Sequence, residues 1–135
     1  MDIHIWSVIV ATIVAFVIGS VWYSPILFGK EWMDLSGCSD KTMGGTKMGK
    51  VIWFYVIQLI VTFITFVILG FAMNFAGVNT SSDGALIGIL AWLGFIVPIH
   101  AGALMWERRP CKLILINTVH SLLTLVVGGA IIGAW

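Results

Sequence analysis

The sequence predicts an all-α, polytopic membrane protein: four transmembrane helices in an antiparallel bundle, with both chain termini on the non-cytoplasmic side. Three observations carry that expectation. The chain of 135 residues is 60% hydrophobic and only 10% charged, against roughly 25% charge in a soluble domain, a surface that water could not hold in solution. Four runs of about 20 residues carry no Asp, Glu, Lys or Arg in their interiors, the length an α-helix needs to cross roughly 30 Å of hydrocarbon. All seven Lys and Arg residues fall between the first and second runs or between the third and fourth, and such asymmetry orients a chain with its basic side in the cytoplasm. Strands are excluded because the runs do not alternate, and lipid satisfies the backbone only in helices or closed barrels. A chain of this length is one domain.

The first span covers 3–23. No Lys or Arg precedes it and its apolar core is longer than that of a secretion signal, so a retained helix is expected. Ser7, Ala11, Ala15 and Gly19 recur every four residues and let another backbone approach closely. The exit reads GSVWYSPILFGKEW at 19–32. Trp22 and Tyr23 fall at headgroup level, Pro25 disfavours further helix, Ile26 to Phe28 run along the interface, and Gly29 to Glu31 turn into water before Trp32 anchors the chain again. This is the pattern of a membrane exit with an amphipathic turn rather than of a ligand-contacting loop.

The segment 24–50 is the expected cytoplasmic loop. Its GGTKMGK at 44–50 fits Gly-x4-Gly-Lys, but Val51 stands where a phosphate loop places Ser or Thr, and a membrane span follows, so no nucleotide is expected. Lys47 and Lys50 are expected near anionic headgroups instead, with Lys41 on the same side. Cys38 and Cys111 map to the reducing side and are expected as free thiols. A net charge of +1 argues against a nucleic-acid partner.

The second span, 51–73, has Trp53 near its start as an interface anchor and carries Tyr55, Gln58, Thr62 and Thr65 on one side. The third, 85–106, opens with Gly84 and Gly88, holds Trp92, whose N–H needs a partner, and is expected to kink at Pro98, which lacks a backbone donor. His100 follows, and Trp106 closes the span as an interface anchor. A turn of about five residues leads to the fourth span, 112–134, where Asn117, His120, Ser121 and Thr124 follow i, i+3, i+4, i+7 and Gly129 and Gly133 end the helix. Trp6 and Trp135 complete the aromatic belts. Since lipid cannot hydrogen-bond polar groups, the stripes on spans two and four are expected to meet in a buried polar seam. His100 and His120 each lie about 9–12 Å from a helix end and are candidates for neighbours across the hairpin. One interhelical hydrogen bond each, a proton or ion pathway, and a metal site with a third ligand all fit that spacing.

The block WYSPILFGKEW at 22–32, with WLGFIVP at 92–98, ERRPCKLILIN at 107–117 and GAIIGAW at 129–135, resembles a family of small bacterial membrane proteins catalogued as domain of unknown function 1761. The likeness covers nearly the whole chain. It implies a four-span bundle, which hydropathy gives independently, and a place in a bacterial inner membrane. It implies no activity.

Function is constrained by what the spans lack. The acids Asp2, Glu31, Asp34, Asp40, Asp83 and Glu107 all lie at or beyond the membrane edges, so no catalytic set, no metal site and no cofactor is expected, and proton-coupled efflux through an intramembrane carboxylate is disfavoured. Two readings follow. In the first the protein is a non-enzymatic packing component, a homo-oligomer or an accessory subunit whose partners are lipid and other membrane chains. In the second it is a minimal pathway for a proton, small cation or neutral solute along the polar seam.

Overall fold

The computed structural model describes residues 4–24, 26–36 and 48–135; the expectations for Pro25, Cys38, Lys41 and Lys47 lie outside them. Every regular element among the described residues is helical. Helix α1 spans Ile5–Trp22, α2 Gly29–Ser36, α3 Met48–Phe75, α4 Ser81–Trp106 and α5 Cys111–Ala134. All but α2 are long and apolar enough to cross a membrane.

The helix ends explain themselves locally. Helix α3 stops where Gly77 takes a positive φ of 71°. The N–H of Val78 then bonds the Met73 carbonyl at 3.0 Å and that of Gly77 bonds Asn74 at 3.1 Å, a glycine-ended cap that satisfies carbonyls the helix would leave open. Helix α4 starts earlier than the 85 expected from hydropathy because Thr80 caps it, its hydroxyl accepting from the Asp83 N–H at 3.1 Å; a polar first turn hides such a start from a hydropathy count. The α4–α5 reversal places Arg108 at φ 52°, with Pro110 preceding α5.

Within α4 the chain does more than kink at Pro98. Residues Trp92–Ile96 form a π-helical turn in which the Val97 N–H reaches back to the Trp92 carbonyl. A wider turn of this kind is one way a helix absorbs a missing donor nearby. The Trp92 indole N–H crosses to α5 and donates to the Thr118 carbonyl at 2.8 Å.

Packing is most extensive between α4 and α5, then between α1 and its neighbours α5 and α3. Gly84 lies on the Gly129 backbone, Gly88 on the Leu125 carbonyl, and Gly133 on the Thr80 carbonyl; a Cβ at any of these would strike main-chain atoms. Between lipid-embedded helices no hydrophobic force brings apolar faces together, so this close approach and its dispersion contacts are what hold the hairpin. Gly128 is the seat of Phe66, which is fully buried and joins Val8, Ala11, Ala15, Leu69, Met73 and Leu125 in one core. That core occupies the half of the bundle nearer the two termini. Towards the other, basic end α3 leaves it: every residue from Ile52 to Val61 is exposed.

Candidate functional site

The described polar side chains converge where α1 meets α5. After Trp22 the chain reverses tightly, with N–H groups of Leu27 and Gly29 bonding the Ser24 carbonyl at 3.1 and 2.9 Å and that of Phe28 bonding Trp22 at 3.1 Å. Gly29 is buried against the backbone of Tyr23 and Ser24, so close that a Cβ would lie 2.7 Å from Ser24. Only glycine fits there. The reversal starts α2 beside the end of α1 and stacks the rings: Trp22 on Phe28 at 4.7 Å, and Tyr23 edge-on to Trp32 at 5.6 Å.

This corner is fastened to α5 by polar contacts. The Trp22 indole N–H donates to the Ile116 carbonyl at 3.1 Å, and the Tyr23 hydroxyl donates to Asn117 Oδ1 at 2.8 Å. An ion pair of Lys112 with Glu31, 3.0 Å long, adds a third tie from α2. Its side chains are about half exposed, so it contributes little beyond orientation. Trp22 and Tyr23, expected at headgroup level, engage their polar atoms on α5, because α1 ends within reach of the first turns of the neighbouring helix.

His120 sits behind this fastening. Its ring centroid is 5.1 Å from that of Tyr23 and 6.3 Å from that of Trp22, and a methyl on Gly19 would lie 3.3 Å from Nε2. Gly19 therefore makes room for an imidazole rather than for a helix backbone. Thr124 donates its hydroxyl to the His120 carbonyl at 2.9 Å and stands 3.5 Å from Nε2; Ser121 donates to the Asn117 carbonyl at 3.0 Å. The result is a half-buried slot of aromatic and hydroxyl groups around one imidazole, able to hold or pass a proton.

His100 does not join it. Gly84 faces Gly129 and Gly88 faces Leu125, a register that carries residue 100 to the first turn of α5, on the order of 10 Å along the bundle from His120. A symmetric hairpin would have matched the two depths, but the glycine contacts and the π turn set a different slide.

Nor does the seam between α3 and α5 close. The helices run in the same direction, and Phe66 against Gly128 puts Gln58 level with His120 and Thr62 level with Thr124. Depth thus matches, yet Tyr55, Gln58 and Thr65 are exposed and Thr62 is only half-buried. Thr62 and Thr65 donate to their own helix, to the Gln58 and Val61 carbonyls at 2.7 and 2.9 Å, and one Gln58 amide N–H reaches Thr62 Oγ1 at 3.2 Å. The physical reason is the splay of α3: below Phe63 it keeps an edge-on contact of Tyr55 with Phe16 of α1, ring centroids 6.0 Å apart, while its other side chains from Ile52 to Val61 stay exposed.

The small residues fare differently. Ser7, Ala11 and Ala15 are buried on α1, as are Gly84, Gly88, Gly129 and Gly133 in the hairpin. Trp53 and Trp106 are exposed and Trp32 half-buried. Sequence reasoning passed over Gly29 as a close-packed position and Phe66 as the core plug. The pairing of Tyr23 with Asn117 was also missed, though each lies in a block that carries the family resemblance. At the opposite end a cleft of about 210 Å³ is lined by His4, Ser7, Asn74, Asn79 and Trp135, among others.

Comparison with known proteins agrees with that resemblance. No curated protein and no solved structure matches the chain. A family model described as Protein of unknown function (DUF1761) matches residues 6–133. Since that span takes in nearly every residue, including the corner at 22–32 and all four membrane-length helices, the chain belongs to the DUF1761 family.

Proposed function

We propose that this protein is a non-enzymatic integral membrane component that acts by helix packing, as a homo-oligomer or as a subunit of a larger membrane complex, in a bacterial inner membrane with its basic end in the cytoplasm. The observation that carries this reading is the exposed run of α3 from Ile52 to Val61, which leaves one edge of the bundle open. An amide left without partners in hydrocarbon costs roughly 2–7 kcal/mol, and the exposed half of α3 places Gln58 there. A second chain seated on that edge removes the cost. The aromatic corner supports the same reading, because its indole, phenol and carboxamide groups are occupied in joining α1 to α5.

The test is the size of the species extracted from native membranes in a mild detergent, by light scattering. An oligomer or a complex is expected; a lone monomer at every protein concentration sinks the reading. A pathway for a proton, small cation or neutral solute is the second reading, favoured by one feature: Gln58 and Thr62 lie level with His120 and Thr124. Proteoliposome flux that falls in His120→Ala would move the conclusion there.

A further inference from the structure

We propose that the cleft at the end of the bundle opposite the aromatic corner is a binding site for a small neutral polyol, either free or as the glycerol or sugar headgroup of a lipid. The site requires no second chain, so it stands whether or not the protein assembles.

Three helices and one link wall the cleft. Ser7 of α1, Gly70 of α3 and Gly133 of α5 form a buried floor; Asn74 near the end of α3, Asn79 in the link and Trp135 beyond α5 form an exposed rim. The volume of about 210 Å³ far exceeds one water's ~30 Å³ share of liquid and accepts a triol or a single sugar ring. The walls are set before any ligand arrives. Gly77 at φ 71° turns the chain, the Val78 N–H is tied to the Met73 carbonyl at 3.0 Å, and Gly133 rests on the Thr80 carbonyl, so the link that carries Asn79 is held between α3 and α5. A site built in advance loses less in ordering when it binds.

The lining selects a ligand by what it offers and by what it lacks. Each carboxamide presents two N–H donors and an accepting oxygen, which matches hydroxyls on adjacent carbons, since each of those both gives and takes a hydrogen bond. Ser7 has committed its proton to the His4 carbonyl at 2.6 Å, so its oxygen can only accept. The Trp135 indole adds an apolar plate for carbon-bound hydrogens, with a polar N–H at its edge. Among the described residues no Asp, Glu, Lys or Arg lines the cleft, and His4 is its one titratable side chain. A phosphate or an ammonium ion would leave water for a wall without a countercharge, a costly exchange. A neutral polyol trades hydroxyl–water bonds for hydroxyl–carboxamide bonds at little cost. Depth agrees, because Asn74 is one residue from the end of α3 and Trp135 follows the end of α5, the level at which lipid headgroups lie.

The experiment is saturation-transfer NMR on the full chain in an amine-oxide detergent, which carries no sugar of its own, with glycerol and D-glucose as probes at tens of millimolar. Transfer to both probes is expected. Asn74→Ala and Asn79→Ala should each weaken apparent affinity about fivefold, the scale of one neutral hydrogen bond, and Trp135→Leu should weaken glucose more than glycerol, because a ring covers more of the indole. These side chains are exposed, so the variants keep the bundle; Trp53→Ala, at the other end, should change nothing. Nanodiscs separate the two sources. Loss of glycerol transfer in phosphatidylglycerol discs but not in phosphatidylcholine discs assigns the site to a lipid headgroup, and equal transfer in both assigns it to a free polyol. Absence of transfer to either probe in detergent, transfer that survives Asn74→Ala and Asn79→Ala combined, or binding of inorganic phosphate or ethanolamine in preference to glycerol overturns the proposal.

Discussion

Tyr23 and Asn117 stand 94 residues apart in sequence and are joined by one hydrogen bond, the contact that fixes where α1 ends against α5. Replacing Tyr23 by Phe keeps the ring on Trp32 and removes the donor, leaving Asn117 Oδ1 unpaired. The expected loss is about 1 kcal/mol, the usual scale for such a bond, with a coupling between Tyr23→Phe and Asn117→Ala of roughly 0.6 kcal/mol, as between membrane helices. Reversible unfolding in mixed micelles reads both; additive losses would show that the bond carries nothing. Arg108 offers the opposite test. At φ 52° a side chain is strained by roughly 1–2 kcal/mol, so Arg108→Gly should be neutral or stabilising in the same assay. A marked loss would mean that the guanidinium itself, rather than the turn, is what the position requires. Neither site was legible in sequence. A Tyr near a span end reads as an interface anchor whichever way its hydroxyl points, and an Arg in a turn reads as a topology signal.

At the scale of elements, spacing told which helices carry close-packed faces but not which of their glycines are used. Gly84, Gly88, Gly129 and Gly133 were expected to pack, and they bring α4 and α5 into backbone contact; Gly94 and Gly102 share that helix yet have nothing within 4 Å of a Cβ position. Gly129→Ala should therefore destabilise the hairpin by more than about 2 kcal/mol, within the range of overpacked cores, while Gly102→Ala should stay within about 0.5 kcal/mol, as for surface changes. Similar losses at the two positions would refute the assigned register. The same register separates His100 from His120. Helical periodicity assigns a residue to a face, and turn length sets a nominal depth, but the slide between two helices is fixed by which small residues meet. A π turn shifts it again, and no local pattern announces one. The polar stripe of α3 shows the same limit: its side was predicted, and its exposure followed only from where α3 parts from the bundle.

For the whole molecule, the basic side chains Lys30, Arg108, Arg109 and Lys112 lie at one end of the bundle while His4, Trp135 and the 76–80 link lie at the other. The orientation that follows from charge is tested by labelling Lys47→Cys and Arg109→Cys in sealed vesicles with an impermeant thiol reagent. Both should react from the same compartment; reaction from opposite sides would undo the topology. Composition, four charge-free runs and the positions of Lys and Arg were enough to determine an all-helical, membrane-length bundle, because the cost of placing charge or open backbone in hydrocarbon depends on little besides the local sequence. Which helix leans on which was decided only by the folded chain. In lipid every apolar face is equally content, so the choice of neighbour falls to short-range fits such as Gly84 on Gly129, Phe66 on Gly128 and Tyr23 on Asn117, and these depend on three-dimensional shape that a linear pattern does not contain.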